Sequence, residues 1–246
     1  MTSTGVVVTG AAQGIGAAIA ERFAADGWHV VGVDLSDDVL PVLATDGHDY
    51  VPGDAGDPEV IALACKRAEA LGAGLGAFVA NAGIAAPGDT VDYPLEEWDR
   101  VLGVNLRGAF VGAKTARPHL HEGSSVVMLS SICAVQGFGA RASYCASKAG
   151  IEGLVRSLAT EWGPDGIRVN AVAPGTASTP LQQAVVASGR ASMERYLDRI
   201  PMKRVGRPEE IADAVFYLAS ARASYISGVV LPVDGGWSGA GLPAMS

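Results

Sequence analysis

Two groups of residues in this 246-residue chain have the types and spacing to do chemistry. Tyr144 and Lys148 stand four apart in Tyr-Cys-Ala-Ser-Lys. On a helix, that spacing puts both side chains on one face, with Cβ atoms ~5–6 Å apart. A phenol with its ordinary pKa of ~10 is a poor base at neutral pH. An ammonium ~5 Å away, at an effective dielectric of ~20, would favour the phenolate by roughly 3 kcal/mol. The pair can then act as general base toward an alcohol or general acid toward a ketone. Taken alone, Tyr-x-x-x-Lys also describes a surface tyrosine beside a lysine.

The second group is Thr9-Gly10-Ala11-Ala12-Gln13-Gly14-Ile15-Gly16. A pyrophosphate needs backbone N–H donors and room for close approach. Glycines at a helix N-terminus supply both, and the helix dipole favours the negative charge. Glycine turns between strands and helices are common, so the context matters: a strand before, a helix after, and an acid ending the next strand. That acid is Asp34, eighteen positions after Gly16 and followed by Leu35 and Ser36. A carboxylate there accepts hydrogen bonds from the adenosine ribose hydroxyls of NAD. It would oppose a 2′-phosphate by on the order of 4 kcal/mol before solvent relaxation. No Lys or Arg flanks it. The plainer alternative for Asp34 is a strand-end cap on the next helix.

These residues need elements to hold them. Short β-rich apolar runs alternate with Ala-rich helical stretches. Strands are expected at Gly5–Thr9, Trp28–Asp34, Leu75–Ala80, Ser125–Ser130, Ile167–Val172 and Val229–Val233. Helices are expected at Gly14–Asp26, Asp57–Leu71, Leu95–Val101, Gly108–His121, Ser143–Trp162 and Pro208–Ala219. Continuous apolar strands with helices between them indicate an α/β fold, a doubly wound parallel sheet covered on both faces. No linker, charge block or repeat divides the chain, so residues 1–246 are read as one domain. Thr176–Val205 is a long excursion of uncertain structure, and such excursions are more often functional lids than linkers.

Composition narrows the function classes. Hydrophobic residues make up 49% and charged residues 18%, too apolar for a disordered chain. Lys and Arg number 18 against 26 Asp and Glu, a net charge of −8, which argues against a nucleic-acid partner. No window is long and apolar enough to span a membrane, and the glycine-broken N-terminus does not read as a signal peptide. Cys65, Cys133 and Cys145 are an odd number and suit a reducing cytoplasm. The four histidines show no ligand spacing with them, so no metal is expected.

Several motifs fall in one order: the Thr9–Gly16 loop, Asn81-Ala82-Gly83, Asn105, Ser130-Ser131, Tyr144…Lys148, Pro174-Gly175 and Asp234-Gly235-Gly236. From Val6 to about Trp237 the chain resembles the short-chain dehydrogenase/reductase family. The resemblance implies a seven-stranded Rossmann sheet, a nicotinamide cofactor and a homotetramer. It implies a catalytic role for Tyr144, and a substrate-binding role for Ser131, with Ser130 the lesser candidate. Lys148 matches the residue that binds the nicotinamide ribose and lowers the tyrosine pKa. Asn105 matches the asparagine that holds a relay water; its alternative is an asparagine satisfied by nearby backbone. Asp54, followed by Ala55, matches the acid near the adenine amino group. Asn81, Ala82 and Gly83 match the turn under the cofactor's centre, although position 80 is Ala where many members carry a second Asn. Pro174, Gly175, Thr176, Ala177 and Thr179 match the segment that meets the nicotinamide amide and diphosphate.

Substrate walls are expected from three places. The first is Ile132–Gln136 with Phe138, and the second is Ile84–Ala86. The third is the lid: Leu181, Val185, Val186, Met193, Tyr196, Leu197, Ile200 and Met202. The set is mainly apolar, with Gln136 a possible anchor and Arg190, Arg195 and Arg199 nearby on the lid. The expected activity is interconversion of a secondary alcohol and a ketone with NAD, on an apolar or cyclic uncharged small molecule. The alternatives are a 3-oxoacyl-carrier-protein reductase, a dihydrodiol dehydrogenase, and a non-catalytic dinucleotide-binding scaffold.

Overall fold

The computed structural model describes residues 4–187, 189 and 192–241. The expected lid residue Arg190 therefore lies outside the described residues. In chain order, β1 (Gly5–Thr9), α1 (Gly14–Ala25), β2 (His29–Asp34) and β3 (Asp49–Pro52) come first. Then follow α2 (Pro58–Leu71), β4 (Leu75–Ala80), α3 (Leu95–Leu102), α4 (Gly108–Ala116) and β5 (Leu120–Leu129). The chain continues with α5 (Ala142–Trp162), β6 (Arg168–Pro174), α6 (Pro180–Ala187), α7 (Met193–Arg199), α8 (Pro208–Ala219) and β7 (Val230–Val233).

All seven strands join one parallel sheet in the order β3-β2-β1-β4-β5-β6-β7. Alternate residues feed opposite faces. Val7, Phe78, Val126 and Met128 pack with α2, α4 and α5. Val6, Val8, Val79 and Val127 pack with α1 and α8. On the second face Phe23, Trp28 and Phe216 interlock edge to face, Phe23 lying 5.1 Å from each partner ring. This is the doubly wound Rossmann arrangement. Its order reverses between β1 and β4, and ligands of such sheets bind outside the carboxyl ends at that point.

Two expectations need correction, and the stretch of uncertain structure gains elements. The residue pattern marks six strands, and β3 is the seventh. It is four residues long and ends in Pro52, which an edge strand tolerates because its outer side needs no N–H. The helix expected over Gly108–His121 stops at Ala116. Pro118 cannot donate the next helical hydrogen bond, and the chain passes through a short 3₁₀ turn into β5 at Leu120. The expected lid over Thr176–Val205 contains two short helices, α6 and α7. Between α3 and α4 the backbone also forms a π-helical turn, Gly103–Arg107, around Asn105.

Among the described residues no helix is long and apolar enough to cross a membrane. No group of three His, Cys, Asp or Glu among them could hold a metal.

Candidate active site

A cavity of about 530 Å³ opens at the carboxyl ends of the strands. The glycine loop forms one end. Gly10 donates to Val33 O (2.7 Å) and has φ +66°, a conformation that favours glycine. A Cβ on Gly16 would stand 1.8 Å from Gly10 O, so only glycine lets the loop fold back on α1. Asn81 clamps the same loop, its Nδ2 donating to Thr9 O (2.9 Å) and Gly10 O (3.0 Å). No side chain caps the N-terminus of α1, where Gln13 is extended.

Asp34 closes β2 beside this loop. Its carboxylate accepts from Ala12 N (2.9 Å) and Ser36 N (3.2 Å). Burial first, and then the charges of Asp34, Asp37 and Asp38, push the nearby Tyr50 phenol up to about 12. Leu35, Asp54 and Ala55 line this end too, with Asp54 Oδ1 accepting from Gly56 N (2.7 Å).

At the other end Ser131 leaves β5 and accepts from Cys133 N (3.2 Å). Tyr144 lies in the first turn of α5 and lines the cavity with Ser131. Lys148, one turn on, is buried; its Nζ donates to Leu129 O (2.7 Å) and lies 5.7 Å from the Tyr144 ring centre. Burial dominates both ionisations. It lowers Lys148 to about 8 and raises the Tyr144 phenol well above its ordinary value. The nearby Cys133 thiol adds to the rise, and Ser131 and Arg141 oppose it. The expected fall in the phenol pKa therefore does not arise from Lys148 in the cofactor-free site.

Asn105 does not line the cavity. It is fully buried in the π turn, with Oδ1 accepting from Ile84 N (2.8 Å) and Nδ2 donating to Ile84 O and Ser147 Oγ (3.0 Å each). A Cβ on Gly83 would meet both Asn105 Oδ1 and Lys148 Nζ, so the two converge behind that glycine. Pro174, Gly175, Thr176, Ala177 and Thr179 line the cavity beyond β6. With them stand Gln13, Gly14, Ile15, Ala82 and Gly83, so the structure gathers every other expected site residue there.

Among the lining residues that sequence reasoning missed, Arg100 included, two bear on ligand binding. Gln182 completes Thr179-Pro180-Leu181-Gln182, the Thr-x-x-Gln pattern of a helix start. Its backbone N donates to Thr179 Oγ1 (3.2 Å), and among the described residues its buried side-chain Nε2 has no partner. Arg141, three residues before Tyr144, is the other. Among the expected walls, Ile84, Ala85, Ile132, Cys133, Phe138, Leu181, Val185 and Tyr196 line the cavity. Gln136 does not. Its Oε1 accepts from Trp237 Nε1 (2.7 Å) and Arg199 Nη2 (3.3 Å), fastening α7 to the segment after β7. Ile200 is likewise spent on packing against Trp237, and Val135 and Met202 face solvent.

An unfilled donor at Gln182, an uncapped helix start and a glycine cradle fit a dinucleotide phosphate. The comparisons point the same way. The family profile described as enoyl-(acyl carrier protein) reductase matches residues 10–238. The cis-4-hydroxycyclohexanecarboxylate dehydrogenase of Sinomonas cyclohexanicum is 43% identical over 244 residues, covering 94% of this chain and 95% of that protein. The 3beta-hydroxysteroid dehydrogenase 1 of Eggerthella lenta is 39% identical over 243 residues, 94% and 92% of the two chains. An uncharacterized short-chain type dehydrogenase/reductase of Sinorhizobium fredii is 40% identical over 243 residues, 97% of this chain; the chain spans 44% of that longer protein.

Among solved structures, levodione reductase superposes with a TM-score of 0.89 at 32% identity over 98% of this chain and 99% of its own. A Burkholderia cenocepacia short chain dehydrogenase in complex with NADP gives 0.86 at 33% identity (96% and 98% covered). A Brucella melitensis 3-ketoacyl-(acyl-carrier-protein) reductase complexed with NADH gives 0.86 at 31% (96% and 98%). Family profile, full-length relatives and sheet order agree: this chain belongs to the short-chain dehydrogenase/reductase family.

Proposed function

We propose that the chain is an NAD(H)-dependent oxidoreductase that interconverts a secondary alcohol and a ketone on a cyclic skeleton. One observation carries the reading: Ser131, Tyr144 and Lys148 meet at one end of the cavity whose other end holds the glycine loop and Asp34. A non-catalytic scaffold would have no use for a serine, a buried phenol and a buried amine converging where a substrate fits. A 3-oxoacyl-carrier-protein reductase would want a basic docking face, and the net charge here is −8. Dihydrodiol oxidation remains a cyclic variant of the same reaction.

In this reading Ser131 donates to the substrate oxygen and fixes it beside Tyr144. Tyr144 takes the hydroxyl proton during oxidation and returns it during reduction. The nicotinamide, when bound, supplies the two-electron acceptor for the hydrogen on the carbinol carbon. Lys148 holds the ribose side of the site and favours the phenolate once an electrostatic partner offsets its burial. Asn105 orients Ile84 and the turn beside Lys148. The α6–α7 segment closes over the substrate as a lid. Asp34, with Asp37 and Asp38 nearby, selects NAD over NADP by accepting from the ribose and repelling a 2′-phosphate. A homotetramer in the cytoplasm suits the family and three unpaired thiols.

The test is NADH formation across cyclic, terpenoid, steroid and dihydrodiol alcohols, with NAD and NADP compared and Tyr144→Phe as control. Turnover should need Tyr144, the variant should still bind NADH, and kcat/KM should favour NAD at least tenfold. Near-normal turnover by Tyr144→Phe overturns the mechanism, and equal use of both cofactors overturns the role of Asp34.

A further inference from the structure

Among the described residues three cations line the active-site cavity: Arg100, Arg141 and Lys148. Lys148 belongs to the reacting centre. Arg100 is neutralised by a two-pronged pair with Glu97, at 3.0 and 2.7 Å. Arg141 differs from both. Among the described residues no carboxylate lies within ion-pair distance of it. Its Nη2 donates to the Tyr196 hydroxyl (2.6 Å), and its guanidinium lies 5.5 Å from the Phe138 ring centre. Both contacts are neutral, so the charge stays uncompensated, and most of its five N–H donors stay free.

Its position is equally specific. Arg141 is the N-cap residue of α5, three places before Tyr144. That spacing puts the two on one side of the helix start. Arg141 lines the cavity with Ser131, Cys133 and Tyr144, and its positive charge favours the Tyr144 phenolate. A free guanidinium thus faces the space where a substrate hydroxyl meets Ser131 and Tyr144. The remaining substrate walls are apolar: Ile84, Ile132, Phe138, Val185. An uncompensated fork of donors in an apolar cavity, within a chain carrying net charge −8, suits a planar anion.

We propose that Arg141 is a substrate-binding residue that grips a carboxylate, so that the preferred substrates are cyclic secondary alcohols or ketones bearing an acid group. The inference rests on the alcohol–ketone reading for where the hydroxyl sits, and it refines the uncharged substrate that the apolar walls alone suggest. Arg141 takes no part in bond making. It sets which ring enters and how the carbinol carbon is presented. The neutral Tyr196 partner, on α7, gives way to or shares the fork with the incoming acid and links its arrival to the lid.

The test separates this from the reaction itself. Binding of cyclohexanecarboxylate and of cyclohexanecarboxamide, neither oxidisable here, is measured by calorimetry on the protein with NADH. The unmodified protein should bind the carboxylate roughly tenfold or more tightly than the amide, the strength of one charge-assisted contact. Arg141→Gln, which keeps a donor for Tyr196, should lose that preference, and Arg141→Lys should keep part of it. With 4-hydroxycyclohexanecarboxylate and its methyl ester, Arg141→Gln should raise KM for the acid far more than KM for the ester, while any change in kcat falls equally on both. Equal affinity for acid and amide, or a preference that survives in Arg141→Gln, overturns the proposal. So does equal loss with acid and ester, the mark of a lid latch. Alcohols that are never oxidised would overturn the proposed reaction instead, and the calorimetric preference would stand or fall independently of it.

Discussion

At the scale of single residues, the chemistry lies in groups held against their ordinary ionisation. Lys148 is the clearest: a buried amine whose one hydrogen bond runs to Leu129 O. Its pKa is lowered to about 8 from 10.5 by burial. Between those values the unfolded chain holds more protons than the folded one, so stability rises with pH there. Below pH 8 both states carry the charge and the full burial cost stands. Lys148→Met should therefore raise the Tm of the cofactor-free protein at pH 7 by a few degrees. The gain should shrink as pH climbs from 8 toward 10.5, while turnover is lost. Thermal melts across that range check it; a variant less stable at every pH would mean the bond to Leu129 O outweighs desolvation. The same scale shows what a sequence can carry. Ser131, Tyr144, Lys148, Asp34 and the glycines were legible because each belongs to a spaced pattern. Arg141 and Gln136 were not, because a lone arginine or glutamine has no pattern. Only packing decides that Gln136 holds Trp237 while Arg141 is left free in the cavity.

Elements place those residues, and the glycine loop before α1 is the tightest of them. A Cβ at Gly16 would stand 1.8 Å from Gly10 O and 2.5 Å from Asn81 Nδ2, both fixed by β1 and β4. Neither can retreat without breaking the clamp between Asn81 and the loop. Gly16→Ala should cost about 1–3 kcal/mol, as overpacking does. It should also weaken NADH binding at least tenfold in a fluorescence titration, by moving the N–H groups that meet the phosphates. Unchanged binding would detach the loop from the cofactor. The elements were legible where periodicity is strong: β1, β4 and α8 fall on or within a residue of their expected bounds. They were hidden where tertiary context overrides the local signal. β3 has two buried apolar residues and exists because the β2 edge needs a partner. The π turn at Asn105 leaves no mark in propensity; it follows from the asparagine's bonds to Ile84 and Ser147.

For the whole molecule, the surface that matters most lies away from the cavity. Leu102, Leu106, Phe110 and Leu154 form an apolar hollow between α3, α4 and α5, and Phe110 is 44% exposed. A contiguous apolar patch on an otherwise acidic surface marks an association site. On a chain that pairs with itself, one patch meets its own copy across a twofold axis, so it serves a single interface. A tetramer with twofold symmetry needs a second interface elsewhere. Phe110→Asp would bury two like charges against each other across the first axis and leave the second intact. Sedimentation should then show the proposed tetramer falling to a dimer, with circular dichroism unchanged because Phe110 lies outside both cores. A monomeric parent protein would refute the tetramer. An unchanged tetramer in the variant would move the contact to another face. Arg107 and Asp99 rim the hollow with opposite charges and sit well to fix the orientation of two antiparallel copies. Raised salt should loosen that alignment without separating the leucines, because screening weakens the rim charges and leaves apolar burial in place.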